Sequence, residues 1–108
     1  MTIRADATRI RLEQSKALAS ETRMKILALL SDPKKHFSDQ RYQDPVAVGV
    51  CVTMLTERLG LKQPTVSRHL ELLSRAGFVS VTKIDRWSFY SRNNEGIAEY
   101  TRWLAENL

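Results

Sequence analysis

A chain of 108 residues with 43% hydrophobic and 27% charged side chains has room for one core but little for an enzyme's buried cleft. The composition is globular, the net charge is +5, and no apolar run approaches the ~20 residues needed to span a bilayer. A single cysteine, Cys51, excludes an internal disulfide and fits a reducing compartment. Residues 1–6 hold no apolar signal core, so a cytoplasmic protein without a membrane partner is expected.

In chain order, residues 8–18 predict a first helix, with Ile10, Ala17 and Leu18 among its apolar positions. Ser20 is placed to cap a second helix, because its hydroxyl can accept a bond from a free N–H of the first turn. Glu21 complements the positive end of that helix. Met24, Ile26, Leu27, Leu29 and Leu30 supply a broad buried face, and Pro33 stops the helix. Residues 33–48, rich in turn formers and holding two prolines, read as a long surface loop. Such a loop is either a mobile linker or a surface for an inducer or partner, with His36, Phe37 and Tyr42 as candidates.

Residues 49–52 form a short apolar run that reads as one strand. Thr53 is expected to cap the next helix, whose Met54, Leu55 and Leu59 face inward and which Gly60 ends in the left-handed conformation. Pro64 fits the first turn of the following helix, where its missing N–H removes no intrahelical bond. There Val66, Leu70 and Leu73 recur at helical spacing and define a core face, and Gly77 closes the helix. Residues 78–81 and 87–90 alternate like half-buried strands, joined at Asp85-Arg86, with residues 83–86 as the tip. Asn94 is expected to cap a last helix, over 94–107, bearing Ile97, Tyr100, Trp103 and Leu104, with Leu108 beyond.

Two helices joined by a tight turn and followed by a hairpin predict a winged helix-turn-helix. The expected fold is mostly α with a small β-hairpin wing (α+β), about five helices and two to three short strands in one domain over 1–108. Charge supports a polyanionic partner. Residues 55–92 carry seven basic against three acidic side chains, net +4, whereas residues 93–108 carry one against three, net −2. Lys62, Gln63, Thr65, Ser67, Arg68 and His69 lie at the start of the second helix of the motif, where amides, hydroxyls and a guanidinium can reach base edges or phosphates. Lys83 and Arg86 would contact the backbone or the adjacent minor groove from the wing. The bland alternative for each is a solvated helix start or a hairpin charge that keeps a sheet edge soluble.

Ile10, Tyr100, Trp103 and Leu104 give the first and last helices more apolar bulk than one small domain needs, so part of it is expected to be core and part a homodimer seam. Cys51 and His36 are where a metal hypothesis would attach. A structural zinc site wants four suitably spaced ligands, so no metal and no cofactor are expected, and Cys51 reads better as a small buried hydrophobe.

The runs Leu18-Ala-Ser-Glu-Thr-Arg-Met-Lys-Ile-Leu-Ala-Leu-Leu30, Leu59-Gly-Leu-Lys-Gln-Pro-Thr-Val-Ser-Arg-His-Leu-Glu-Leu-Leu73, Ala76-Gly-Phe-Val79 and Arg86-Trp-Ser-Phe-Tyr90 resemble the ArsR/SmtB family of bacterial repressors. The resemblance covers roughly residues 10 to 105. It implies a homodimer held by its first and last helices, bound to an inverted-repeat operator in double-stranded DNA and released by an inducer. It also implies where a metal would sit, and this chain departs from both family patterns. Cys51 matches the first residue of the family's Cys-Val-Cys, but Thr53 replaces the second cysteine and Met54 the following Asp; residues 93–108 hold no His for the last-helix site. A cysteine-pair sulfur sensor is likewise out of reach of Cys51 within one chain. The expected function is a sequence-specific transcriptional regulator, a repressor. The alternative is a winged-helix module for protein or RNA without operator specificity. An enzyme is the weakest reading and is not expected, because no clustered nucleophile, base and orienting residue and no phosphate-cradling glycine loop is present.

Overall fold

The structure, a computed structural model, describes residues 5–108, with side chains described from residue 7. Residues 1–4, part of the stretch searched for a signal core, lie outside the described residues. Helix α1 (Ala5–Leu18) begins before the expected residue 8. Helix α2 (Glu21–Leu30) starts where Ser20 predicts, and the Ser20 hydroxyl accepts the Arg23 N–H at 3.2 Å. Its inner face is narrower than the sequence suggests: Ile26 and Leu30 are buried, but Met24 stays 59% exposed. Met24 lies two residues from Ile26, hence about 200° around the helix from it, and shares the apolar composition but not the core direction.

Pro33 does more than end a helix. It occupies the first turn of a short helix, α3 (Pro33–His36), capped by Asp32, whose carboxylate accepts the Lys35 N–H at 3.2 Å. Phe37 follows and is fully buried, which corrects its reading as a surface residue. The Arg58 guanidinium lies 5.5 Å from the centre of the Phe37 ring, donates to the His36 carbonyl at 2.8 and 3.1 Å, and pairs with Asp39 at 2.7 Å. Residues 38–49 are turns rather than a free linker. Gln40 spans them, its amide N–H₂ donating to the Gln43 and Gly49 carbonyls and its Oε1 accepting the Cys51 N–H.

Strand β1 (Val50–Cys51) runs directly into helix α4 (Val52–Leu59). That continuity makes Cys51, not Thr53, the cap position, and no side chain caps the helix. Gly60 ends α4 at φ 67°, and helix α5 (Gln63–Arg75) follows with Pro64 in its first turn. Leu55 of α4 and Val66, Leu70 and Leu73 of α5 are fully buried; each such side chain contributes about 1.5–3 kcal/mol. Strands β2 (Val79–Ile84) and β3 (Trp87–Arg92) form the wing. They pair antiparallel from Val79–Arg92 to Ile84–Trp87, around a two-residue turn in which Asp85 takes the left-handed conformation. β3 is central, since β1 pairs with it at Tyr90 and Phe89.

Helix α6 (Asn94–Asn107) is capped by Asn93 rather than Asn94. The Asn93 Oδ1 accepts the Gly96 N–H at 3.1 Å, and its Nδ2 donates to the Gly77 carbonyl at 2.9 Å, so one side chain both starts α6 and seats it on the turn after α5. Arg11 of α1 pairs with Glu99 and lies over the Trp103 ring, holding the Glu99 carboxyl below its usual pKa range mainly through that hydrogen bond. Gln14, buried, accepts from Arg11 and donates to the Ala76 carbonyl at 3.1 Å. Tyr100 packs in the protomer's own core against Phe78, its hydroxyl 2.6 Å from the Ser15 hydroxyl; it completes the core and is removed from the dimer candidates.

The seat of α6 makes a testable exception to helix propensity. Gly→Ala in a helix ordinarily gains up to ~1 kcal/mol. A Cβ on Gly96 would instead meet the Gly77 carbonyl oxygen and lie 2.8 Å from the Asn93 amide nitrogen. Because the first obstacle is backbone, Gly96→Ala is expected to destabilise by about 1–3 kcal/mol net and to lower the thermal midpoint by several degrees. A midpoint that holds or rises would show that α6 is not seated this way.

Candidate nucleic-acid interface

The exposed start of α5 lies beside the root of the wing. Lys62, Gln63, Pro64 and Thr65 are all exposed, and the Lys62 side chain is not used as a cap. This end of the helix therefore presents unpaired N–H groups and the positive end of its dipole, both of which favour phosphate. Gln63 and Ser67, one turn apart, share a groove of about 380 Å³ with Val52 and Thr53 of α4 and with Arg86, Trp87, Ser88 and Tyr90 of the wing. Helix start and wing thus form one continuous surface, with amide, hydroxyl and guanidinium groups on a partly aromatic floor.

Arg68 is exposed and bonded to Glu71 at 3.2 Å, while Arg75 holds the other oxygen of Glu71 at 2.8 Å. An exposed pair of this kind is worth about 0–1 kcal/mol, so Arg68 can exchange Glu71 for a phosphate or a guanine edge at small cost. Lys83 and Arg86 are exposed on the wing.

His69 has a different setting from the rest of its group. It is half-buried, with Nδ1 3.0 Å from an Arg23 guanidinium nitrogen. Guanidinium can only donate, so Nδ1 accepts and the ring is neutral. Burial, then the Arg23 charge, lowers its pKa from the ordinary 6.5. Arg23 also donates to the Ala17 and Lys16 carbonyls, closing the end of α1. His69 therefore ties α5 to the α1–α2 corner rather than facing outward with Arg68.

Ile10 is 56% exposed and Trp103 is half-buried beneath Arg11, whereas Leu104 packs partly against the core. Cys51 is half-buried in β1, and the carbonyl of His36 is held by Arg58. Among the described residues, no group of three or more His, Cys, Asp or Glu side chains could hold a metal ion. Also among them, no helix is long and apolar enough to cross a membrane. Sequence reasoning missed Thr53, Trp87 and Tyr90 as lining of the groove. The signal was there for Trp87, since an aromatic next to the hairpin turn of a basic wing has no core to enter.

A helix-turn-helix whose second helix opens onto a groove shared with a β-wing, in a segment with net positive charge, defines the winged helix-turn-helix class of DNA-binding proteins. Residues 18–82 match the family model described as a helix-turn-helix domain, and the chain belongs to that family. It is 36% identical over 97 residues to the HTH-type transcriptional regulator YbzH of Bacillus subtilis (strain 168), covering 90% of this chain and 97% of the relative. It is also 30% identical over 91 residues to the HTH-type transcriptional regulator MJ1325 of Methanocaldococcus jannaschii, covering 84% and 86%. Among solved structures, the ArsR family transcriptional regulator RHA00566 superimposes with a TM-score of 0.71 at 21% identity, over 98% of this chain and 91% of that one. HlyU from Vibrio cholerae N16961 does so with a TM-score of 0.62 at 26% identity, over 96% and 98%. The protein is a DNA-binding transcriptional regulator with the fold of the ArsR family, not an enzyme.

Proposed function

We propose that this protein is a homodimeric repressor, acting in the cytoplasm, that binds an inverted-repeat operator and is released from it by an inducer. The observation that carries the reading is the groove shared by the start of α5 and the wing, lined by Gln63, Ser67 and Arg86, on a helix whose Lys62, Thr65 and Arg68 are also exposed. Residues 1–108 act as one DNA-binding domain, with α1 and α6 as the dimer elements. Ile10 at 56% and Leu12 at 52% on α1, and the nearly bare Leu108 just past α6, supply exposed apolar surface, beside the half-buried Trp103. Paired about that seam, two copies of α5 would enter successive major grooves roughly 34–36 Å apart.

Selection of binding sites from random duplex DNA tests this directly. The expected product is an inverted repeat with half-sites about 10 base pairs apart; a pool without a shared repeat would refute operator binding. On the selected site, Arg68→Ala is expected to lose about 1–3 kcal/mol, roughly five- to 150-fold in Kd, with unchanged thermal stability. Unaltered affinity would remove Arg68 from the interface.

A further inference from the structure

We propose that the turn segment between α3 and β1, residues 38–49, is a third DNA-contacting element: Tyr42, stacked on Trp87, extends the reading surface past the wing, and Arg41 with Arg86 holds the sugar-phosphate backbone flanking the half-site. This rests on the operator-binding reading and goes beyond the two elements that the helix-turn-helix and wing supply.

The Tyr42 and Trp87 rings lie 5.9 Å apart, nearly parallel at 20°. Both stay open to solvent, Tyr42 at 71% and Trp87 at 47%. A stack formed for stability alone would be expected to turn its faces inward, since an aromatic ring stabilises the fold mainly by the area it removes from water. Here two large rings are joined and displayed. Trp87 also borders the groove that holds Gln63, Ser67 and Arg86, so the aromatic surface is continuous with the start of α5.

The segment is built to hold Tyr42 in place. Phe37 anchors one end in the core. At the other end, Gly49 passes so close to β3 that a Cβ there would stand 2.9 Å from the Tyr90 carbonyl oxygen and the Ser91 hydroxyl. Between them, Gln40 makes its three bonds and Asp44 accepts the Val46 and Ala47 N–H groups at 2.8 and 3.4 Å.

Charge selects the occupant. Asp39 is paired with Arg58, and the Asp44 carboxylate is turned onto the segment's own backbone. Arg41 and Arg86 are both exposed, with Asp85 the acid beside Arg86 at the wing tip. Flat aromatic faces next to guanidinium groups, continuous with a helix N-terminus, suit deoxyribose and phosphate rather than a neutral small molecule.

The test uses the intact protein, the selected operator with about ten flanking base pairs on each side, and the same operator trimmed to its half-sites. Arg41→Ala and Tyr42→Ala alter exposed side chains, and their thermal midpoints are measured alongside. Each is expected to weaken binding to the flanked duplex roughly tenfold, and Arg41→Ala to reduce the salt slope by about 1 per protomer. Both should bind the trimmed duplex as the native protein does, and the flanking protection from hydroxyl radicals should disappear. If both variants bind the flanked duplex normally while Arg68→Ala still loses affinity, the segment is not a DNA contact and the proposal falls, leaving the stack to another partner. If Arg68→Ala is also without effect, the operator reading fails and takes this one with it. A variant that melts early yet binds normally would make the stack a brace only, which also overturns the proposal.

Discussion

Raising monovalent salt from about 50 mM to about 200 mM is expected to weaken operator binding roughly 10,000-fold. The chain offers Lys62, Arg68, Lys83 and Arg86 as exposed cations on the α5 and wing surface, eight in the proposed dimer. Each neutralised phosphate releases condensed counterions, so the logarithm of affinity falls with the logarithm of salt at about −0.9 per contact, close to −7 for eight. A fourfold rise in salt then multiplies Kd by about four to the seventh power. The large effect follows from the low cost of recruiting these side chains: Arg68 has only an exposed partner to leave, and the wing cations face solvent. Titration of the selected operator at four or five salt concentrations gives the slope. A value shallower than about −3 would mean that most of these cations do not face phosphate, and would remove the basic surface as the main source of affinity.

Replacing Phe37 by alanine is expected to cost about 3–5 kcal/mol of stability and to lower the thermal midpoint by more than about 10 °C. The ring is fully buried although it lies in the least regular stretch of the sequence. Its loss leaves a cavity that the neighbouring backbone can close only in part. It also strips the Arg58 guanidinium of the ring it covers, and so loosens the link from α4 to α3. Tyr42→Ala, five residues on, is the internal control: with its ring mostly in water it should melt within about 0.5–1.5 kcal/mol of the native protein. Equal midpoints for Phe37→Ala and the native chain would show that residues 38–49 are held independently of the core.

Those two residues also show how far the sequence can be read. Both are aromatic, both lie among turn formers, and no periodicity marks either as inside or outside. Their fates differ because α4 brings Arg58 over one and the wing brings Trp87 beside the other, contacts across 21 and 45 positions of chain. The same holds for His69. Its place on α5 was legible, but the Arg23 that turns it inward comes from α2. Met24, expected inside, is exposed for a related reason, and Tyr100, open between core and seam in the sequence, packs in the core. Hydrophobic composition tells that a helix has a buried face, but the direction of that face depends on where the neighbouring helices lie.

Caps divide in the same way. Ser20, Gly60, Pro64 and Gly77 act within one turn of themselves, through a hydroxyl, a left-handed φ or a missing N–H, and each stands where the sequence puts it. Thr53 and Asn94 were displaced by β1 running straight into α4 and by Asn93 bonding the Gly77 carbonyl. The sequence by itself determined the order of the helix-turn-helix and wing, the buried face Val66–Leu70–Leu73, and the basic character of the segment that carries them. These are properties of neighbouring residues, fixed by propensity, period and charge. Only the tertiary structure decided that α5 and the wing share one groove, that Phe37 and Tyr100 are core, and that Tyr42 is displayed on Trp87. Those outcomes depend on side chains meeting across the fold, where burial and hydrogen-bond partners are set by elements far apart in the chain.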